Sequence, residues 1–187
     1  ENVLVGPDAP DLNSIEKDKE LTLILSNNIY SNNFNEKFIL KQFFLPESTD
    51  SFYRFEGYKV FQLRSAGVST LQLNDTTYAR EIFQTDINNQ VSDISNWVPV
   101  LNPDTTSQDV YIWVPVQKVK ANNTGIQYSF NFNEDHFAEG DKTLVNGKEY
   151  YFMAIAYAHN NWKQYDPVTK FGQKTPYLQG LSNIKRY

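Results

Sequence analysis

Two histidines and a small group of acids are the side chains with the most evident capacity for chemistry. His136 and His159 are the only histidines in 187 residues, and the chain has no cysteine. Disulfides, thiolate nucleophiles and thiolate metal sites are therefore excluded. Neither histidine accompanies a Gly-x-Ser-x-Gly motif, so a Ser–His–Asp triad has little support. We expect His136 to be solvated in a polar turn, and we take His159 as a candidate contact in a binding loop.

Acidic residues gather in the segment 134–141, as Glu134, Asp135, Glu139 and Asp141. Calcium requires several oxygen ligands on a short loop, but this spacing does not match an EF-hand. We favour a solvated acidic turn over a calcium site. No two acids are marked as the carboxylate pair of a glycoside hydrolase, although distant positions could supply one. The sequence therefore predicts no catalytic residue, no metal site and no cofactor, and we expect that the chain is not an enzyme.

Aromatic residues in the segment 159–180 are the stronger candidates for ligand binding. Trp162, Tyr165 and Tyr177 alternate there with amide and carboxylate side chains. Rings beside such groups suit carbohydrate binding by stacking and hydrogen bonding. The alternative, which we favour, is that the rings cover the outer apolar face of the preceding strand. His159, Trp162, Tyr165 and Tyr177 are the predicted contacts of a ligand or partner.

Composition describes an ordinary globular chain. Hydrophobic residues make up 40%, charged residues 21%, and the net charge is −5. This length suffices for one large or two small domains with their own core. The mild acidity and the scattered Lys and Arg argue against a nucleic-acid partner. The longest apolar runs are too short for membrane insertion, and we attribute the high aromatic content to a β-rich core.

The segment Leu144–Ala158 is the one around which we expect the other strands to pack. A turn signal, Asn146-Gly147, leads into nine uncharged residues from Tyr150. Read with a period of two, one face is Tyr150, Phe152, Ala154, Ala156 and Ala158, and the other is Tyr151, Met153, Ile155 and Tyr157. Both faces are apolar, so we predict a strand covered on both sides. A buried helix is the alternative, which the short length and the turn disfavour.

Other segments complete an all-β pattern. Strands are predicted over 21–26, 52–63, 82–87, 110–114, 126–132 and 181–187, with a candidate short strand at 3–5. Gly57 predicts a bulge or a close approach within the second of these. Long loops are predicted at 27–52, 91–108 and 159–180, and short helical turns at 75–81 and 134–141. Seven or eight strands without a long amphipathic helix predict an all-β sandwich.

Three residues at the start of the central strand resemble a known pattern. Leu144, Gly147 and Tyr150 are spaced like the Leu, turn Gly and Tyr that precede the sixth strand of fibronectin type III domains. In related immunoglobulin-like sandwiches the corner phenol bonds to nearby backbone. Ala-Pro-Asp-Leu at 9–12, followed by the strand at 21–26, resembles the first two strands of the same fold.

Four segments in order extend the resemblance. They are Ala-Pro-Asp-Leu at 9–12, Phe-Glu-Gly-Tyr-Lys-Val-Phe-Gln-Leu at 55–63, Ala-Arg-Glu-Ile-Phe-Gln-Thr-Asp-Ile-Asn-Asn at 79–89, and the run from Leu144 to Trp162. Together they resemble the fibronectin type III-like domain of large secreted surface proteins of Bacteroidota, exported by the type IX secretion route. The similarity continues at Gln173 and 176–180, and it leaves out 27–50 and 91–120.

The resemblance implies an immunoglobulin-like (fibronectin type III-like) β-sandwich of about seven strands with long loop insertions. It implies one domain over 1–187, excised from a longer multidomain chain and secreted or displayed at the cell surface. The expected function is a non-catalytic structural or interaction module, whose partners are neighbouring domains, another surface protein or a glycan. The alternative is a carbohydrate-binding module that uses the aromatics of 159–180.

Two short motifs also resemble sites of modification. Asp75-Thr76-Thr77 and Asp104-Thr105-Thr106 are similar to the Asp–Thr/Ser sites at which Bacteroidota attach O-glycans to exported proteins. Thr76 and Thr105 are the acceptors that this resemblance implies.

Overall fold

The computed structural model describes residues 4–43, 45, 50–104, 106 and 109–186. In this part of the chain the fold is all-β, with ten strands paired in antiparallel fashion. The strands are β1 (Asp11–Lys17), β2 (Glu20–Ser26), β3 (Ile39–Lys41), β4 (Phe52–Leu63), β5 (Ala79–Asp86), β6 (Asp93–Leu101), β7 (Tyr111–Lys120), β8 (Ser129–Phe132), β9 (Tyr151–His159) and β10 (Tyr177–Arg186). Short 3₁₀ turns lie at Phe34–Glu36 and Thr70–Gln72.

Strand β9 lies inside a five-stranded sheet, paired with β4 on one edge and with β10 on the other. Every residue from Phe152 to Ala158 is buried. Phe152, Ala154, Ala156 and Ala158 belong to one core cluster, whereas Met153 and Ile155 belong to a second. Since successive side chains of a strand point to opposite faces, the prediction of a strand covered on both sides is confirmed.

The inner face of this sheet packs against a second sheet of three strands, in the order β1-β2-β8. Strand β2 alternates as predicted, because Leu21, Leu23 and Leu25 are buried between less buried neighbours. These leucines share a core cluster with Tyr58 and Phe152 of the larger sheet. Burying each such side chain is worth roughly 1.5–3 kcal/mol, so the contact between the sheets holds the sandwich together.

The outer face of β9 is covered by two insertions. Val68 and Leu73, in the connection between β4 and β5, pack with Met153 and Ile155. Ile94 and Val119, on the hairpin formed by β6 and β7, pack with Tyr157 and Tyr177. We expected the aromatic residues of 159–180 to provide this cover. That expectation holds for Tyr177, but the connection and the hairpin provide most of it.

Strand β6 occupies half of a segment that we predicted to be a loop, 91–108, whereas the start of its partner β7 matches the strand predicted at 110–114. Pro99 and Pro103 were the reason for the loop prediction, yet Pro99 pairs opposite Trp113, just as Pro115 pairs opposite Trp97. A two-stranded ribbon has an outer edge on each strand, where proline's missing N–H does no harm. With this hairpin and β3, the described residues form ten strands rather than about seven.

Several shorter predictions also need correction. The helical turn predicted at 75–81 is absent, because residues 76–78 form a turn and β5 begins at Ala79. Asp75 Oδ1 accepts a hydrogen bond from Thr77 N–H at 2.9 Å, as the N-cap residue of a helix would. The segment 134–141 is likewise a turn without a helix. The segment 27–52 contains β3 and a 3₁₀ turn, and β10 begins at Tyr177 rather than at 181. Leu4 and Val5 are not in a strand, and residue 3 lies outside the described part.

Gly57 occupies a position that has no room for a side chain. The pairing of β4 with β9 shifts register between Phe55 and Gly57. A Cβ atom at Gly57 would lie 2.4 Å from the Thr85 carbonyl oxygen and 2.5 Å from the Tyr157 hydroxyl. Both a bulge and a close approach were predicted here, and both are present.

Tyr150 closes the turn that precedes β9. Its hydroxyl accepts a hydrogen bond of 2.8 Å from the Val145 N–H, and its ring is buried in the main core. Gly147, within the turn, has a positive φ of 78°, a conformation that glycine adopts at low cost. The Tyr150 phenol thus bonds to nearby backbone, as the resemblance implied for this turn.

The replacement Gly57→Ala tests the close packing around β9. The added methyl group meets a backbone carbonyl and a buried phenol, so we expect a loss of about 1–3 kcal/mol in the free energy of unfolding. Urea denaturation measures this value. Gly67→Ala is the matched control, because the nearest atom to its Cβ is the Ser65 Oγ at 3.9 Å. Equal stability of the two variants would contradict this account of Gly57.

Candidate functional site

A polar depression of about 260 Å³ lies at one end of the sandwich. The start of β4, the turn after β5 and the end of β9 surround it, because these antiparallel strands meet there. Arg54 pairs opposite His159 across the β4–β9 ladder, and Gly57 pairs opposite Asp86 across the β4–β5 ladder. The lining includes charged and amide groups together with the aromatic rings of Phe52 and Trp162.

Glu56 is the buried acid of this depression, with an exposed fraction of 3%. The Asn89 side-chain amide donates to both carboxylate oxygens, at 3.0 Å each. His159 Nδ1 lies 3.9 Å from Glu56 Oε2. Burial, together with the nearby Asp86 carboxylate, raises the pKa of Glu56 to about 7 in spite of the Asn89 bonds. Glu56 is thus about half protonated near neutral pH.

His159 reaches the same depression from the end of β9. Burial lowers the pKa of its imidazole below the usual value, because a buried site disfavours the charged form. Near neutral pH the half-ionised carboxyl of Glu56 therefore supplies most of the charge of this pair.

Asp50 and Arg54 form an ion pair at the rim, with 2.7 Å between Asp50 Oδ2 and Arg54 Nη1. The hydrogen bond from Arg54 lowers the pKa of the Asp50 carboxyl. Both side chains are about half exposed, so solvent screens the pair. Because each charge has its counter-charge beside it, the rim adds no net charge to the depression.

Asn160 and Trp162 form the wall that the loop after β9 contributes. Asn160 is only 5% exposed, and its Oδ1 accepts a hydrogen bond of 3.1 Å from the Trp162 N–H. The Asn160 N–H itself donates to the Pro176 carbonyl at 2.9 Å. Asn160 Nδ2 and Trp162 Nε1 are buried donors that have no acceptor among the described residues. A buried donor without an acceptor costs about 1–3 kcal/mol.

Of the four predicted contact residues, the structure brings His159 and Trp162 to this depression. Tyr165 is buried elsewhere, edge-on to Trp97 and Trp113 at centroid distances of 5.1 and 6.2 Å. Tyr177 is buried against Tyr157 at 5.5 Å. Burial of Tyr165 and Tyr177 agrees with the packing role that we favoured for these rings, although Tyr165 packs against the hairpin rather than against β9.

The acidic turn at 134–141 is not simply solvated. The Asp135 carboxylate is buried and accepts hydrogen bonds from Gln62 Nε2 at 2.8 Å and Lys148 Nζ at 2.5 Å. Burial alone would raise its pKa, but hydrogen bonds, with that from Lys148 the largest, hold the pKa of Asp135 below its usual value. His136 is half-buried against the Phe132 ring. The prediction of a solvated side chain is therefore wrong for Asp135, whereas His136 keeps part of its surface exposed.

The structure describes one of the two predicted glycosylation acceptors. Thr76 is exposed in the turn before β5. Thr105 lies outside the described residues. Thr76 is accessible at the surface, and its role as an O-glycan acceptor stays a prediction.

Sequence reasoning missed Glu56 and Asn89. We assigned Glu56 to the second strong strand and Asn89 to a turn, without a role for either. One signal was present, since Glu56 is a charged residue within the largely apolar run Phe55–Leu63. A charge inside a buried strand is rarely tolerated without a partner. No comparable signal in the sequence pointed to Asn89.

Comparisons of the chain with protein-family models, with curated proteins and with solved structures found no match. Among the described residues, no helix combines the length and hydrophobicity that a membrane crossing requires. In the same part of the chain, no group of three His, Asp or Glu side chains is placed to hold a metal ion. Function is therefore inferred from the strand order and from the depression.

The raised pKa of Glu56 predicts a pH dependence of stability. The folded protein binds the Glu56 proton more tightly than the unfolded chain does, so this contribution is fully present below pH 4.5 and is lost as the pH rises to about 7. The lowered pKa of His159 has the opposite effect, because it makes the folded protein less stable as the pH falls below 6.5. We therefore compare His159→Gln with the double variant Glu56→Gln/His159→Gln.

Urea unfolding of the two variants over this pH range measures the effect. The stability of His159→Gln relative to the double variant is expected to fall between about pH 4.5 and 7 and then to level off. Asp86 is the charged group beside Glu56, and its repulsion of the Glu56 carboxylate is part of the measured difference, because the double variant lacks that carboxylate. A difference in stability that stays constant with pH would show that Glu56 has an ordinary pKa.

Proposed function

We propose that this chain is a non-catalytic interaction module with a fibronectin type III-like sandwich, part of a secreted or cell-surface bacterial protein. The strand order supports this proposal. With β3 and the hairpin of β6 and β7 set aside, the first, second and fifth strands form one sheet, and the seventh, sixth, third and fourth form the other. Immunoglobulin-type sandwiches likewise keep their first, second and fifth strands apart from their third, sixth and seventh.

The corner at Tyr150 adds a second line of support. The sixth strand in this count is β9, and Tyr150 stands directly before it with its hydroxyl bonded to the Val145 N–H. A tyrosine corner at the start of the sixth strand is a hallmark of immunoglobulin-like domains. The same residues, Leu144, Gly147 and Tyr150, carry the resemblance to fibronectin type III domains.

The position of the depression is the observation that favours an interaction role. It lies where the loops after the second, fourth and sixth strands of the sandwich meet, and residues such as Asp50, Asn89 and Asn161 line it. Loops in the corresponding positions form the antigen-binding end of antibody variable domains. A rigid sandwich that presents three loops at one end suits the recognition of a partner.

The hydrogen bonds of the buried acids support a non-catalytic role. The Asp86 carboxylate accepts from the Asn122 and Asn123 N–H groups at 2.7 and 2.6 Å. The Glu56 carboxylate is held by Asn89 on both oxygens. These bonds give both carboxylates a structural role, because they fix the loops after β5 and β7 in place.

Location and partners follow from the resemblance to secreted surface proteins. We propose neighbouring domains of the same polypeptide, another surface protein or a glycan as the partners. An exposed Thr76 fits the role of an O-glycan acceptor on an exported protein.

Photo-crosslinking in cells that make the whole protein tests the interaction role. Asn161, exposed at the rim of the depression, is replaced by p-benzoylphenylalanine, and Ile15 on the outer face of β1 is replaced in the control. We expect irradiation to yield an adduct with another domain, protein or glycan at position 161 and not at position 15. Mass spectrometry identifies it. No adduct at 161, or equal adducts at both positions, would count against this end as the recognition end.

A carbohydrate-binding module is the second candidate, and one observation favours it. Trp162 keeps its place at the depression, beside Asn160 and His159. Tyr165 and Tyr177 are buried and present no ring to a ligand. The candidate carbohydrate site is therefore one depression with the single indole of Trp162, rather than a surface of several aromatic rings.

A further inference from the structure

We propose that the depression binds a single ring of an uncharged saccharide, with the Trp162 indole as its platform and with Glu56, His159 and Asn160 as its hydrogen-bonding groups. This inference rests on the proposed interaction role of this end of the sandwich. It adds the chemical class of the ligand and the residues that recognise it.

The size of the depression limits the ligand. Its volume is about 260 Å³, slightly below the usual range of roughly 300–1,000 Å³ for pockets that hold small molecules. One sugar ring fills such a space, and the remainder of a glycan would extend past the rim at Asp50 and Asn161. The site is therefore suited to a terminal or protruding residue of a polysaccharide.

The charge balance favours a neutral ligand. Arg54 is paired with Asp50 at 2.7 Å, so the described lining offers no unpaired cation to a phosphate or carboxylate. Glu56 already accepts two bonds from Asn89 and is half protonated near neutral pH, which weakens its attraction for an ammonium group. His159 is mostly neutral at the same pH. An anionic ligand would thus be desolvated without a counter-charge, whereas a neutral one avoids that cost.

The hydrogen-bonding groups suit hydroxyls in particular. Asn160 Nδ2 and Trp162 Nε1 are donors that lack an acceptor among the described residues, and Glu56 offers acceptor oxygens. Both donors are shielded from solvent, so binding requires their side chains to turn toward the depression. A hydroxyl both donates and accepts, so a polyhydroxy ring can then serve these donors and the carboxyl at once. An apolar ligand of the same size would leave the donors unpaired.

The indole of Trp162 is held in place by its own neighbours. Phe171 meets it edge-on at a centroid distance of 5.4 Å, and the Lys163 ammonium lies 4.5 Å from the Phe171 ring centre. The Trp162 N–H bond to Asn160 fixes the backbone. A ring that is already ordered loses little conformational entropy when a sugar packs on it.

Affinity electrophoresis of the purified chain tests the proposal. The native gels contain a neutral glucan, mannan, galactan or xylan, and one further gel contains anionic alginate. We expect retardation in at least one neutral gel, with an affinity about tenfold lower for Trp162→Phe, which keeps a ring but loses the Nε1 donor, and none measurable for Trp162→Ala. Tyr111→Ala is the matched control, because Tyr111 is exposed on the hairpin, away from the depression. Urea unfolding identifies variants that fold.

The outcomes separate the saccharide proposal from the interaction role. No retardation of the wild type in any neutral gel, retardation by alginate alone, or equal affinity of Trp162→Phe and the wild type would overturn the saccharide proposal. If position 161 still crosslinks to a protein in cells, the interaction role stands without the sugar. If the gels and the crosslinking both fail, both proposals fall.

Discussion

Burial of β9 on both faces and pairing of both its edges is the constraint on which the structure depends. A strand without charge from Tyr150 to Ala158 cannot leave either face in water without exposing large apolar side chains. The three-stranded sheet covers one face, whereas the connection after β4 and the hairpin of β6 and β7 cover the other. The insertions are therefore part of the core, since Met153, Ile155 and Tyr157 require them.

The same constraint positions the depression. Strand β9 fixes the register of β4 through the ladder in which Arg54 faces His159, and β4 fixes β5 through the pair Gly57 and Asp86. Gly57 permits the bulge that brings the Tyr157 phenol against this ladder. Glu56, next to it, is then buried with Asn89 as its partner. The site forms because β4 begins at the place where β5 and β9 end.

Periodicity in the sequence was sufficient for the elements whose faces differ locally. Strands β2, β4 and β9 follow from their apolar patterns, and the bulge follows from Gly57. Strand β6 was missed because Pro99 and Pro103 weaken the strand signal, although the start of its partner β7 was predicted at 110–114. The free edge that tolerates Pro99 exists only in the folded chain. Tyr165 was expected to pack on β9, but it meets Trp97 and Trp113, which are distant in sequence. The pairing of Glu56 with Asn89 likewise depends on tertiary contact.

Native-state hydrogen exchange of the backbone amides tests the central position of β9 most directly. Amides from Phe152 to Tyr157 are expected to exchange only through global unfolding, with the largest protection in the described chain. Amides of β6 and β7, whose side chains are largely half-buried or exposed, are expected to exchange faster through local opening. Exchange of the β9 amides as fast as that of the hairpin would contradict the account.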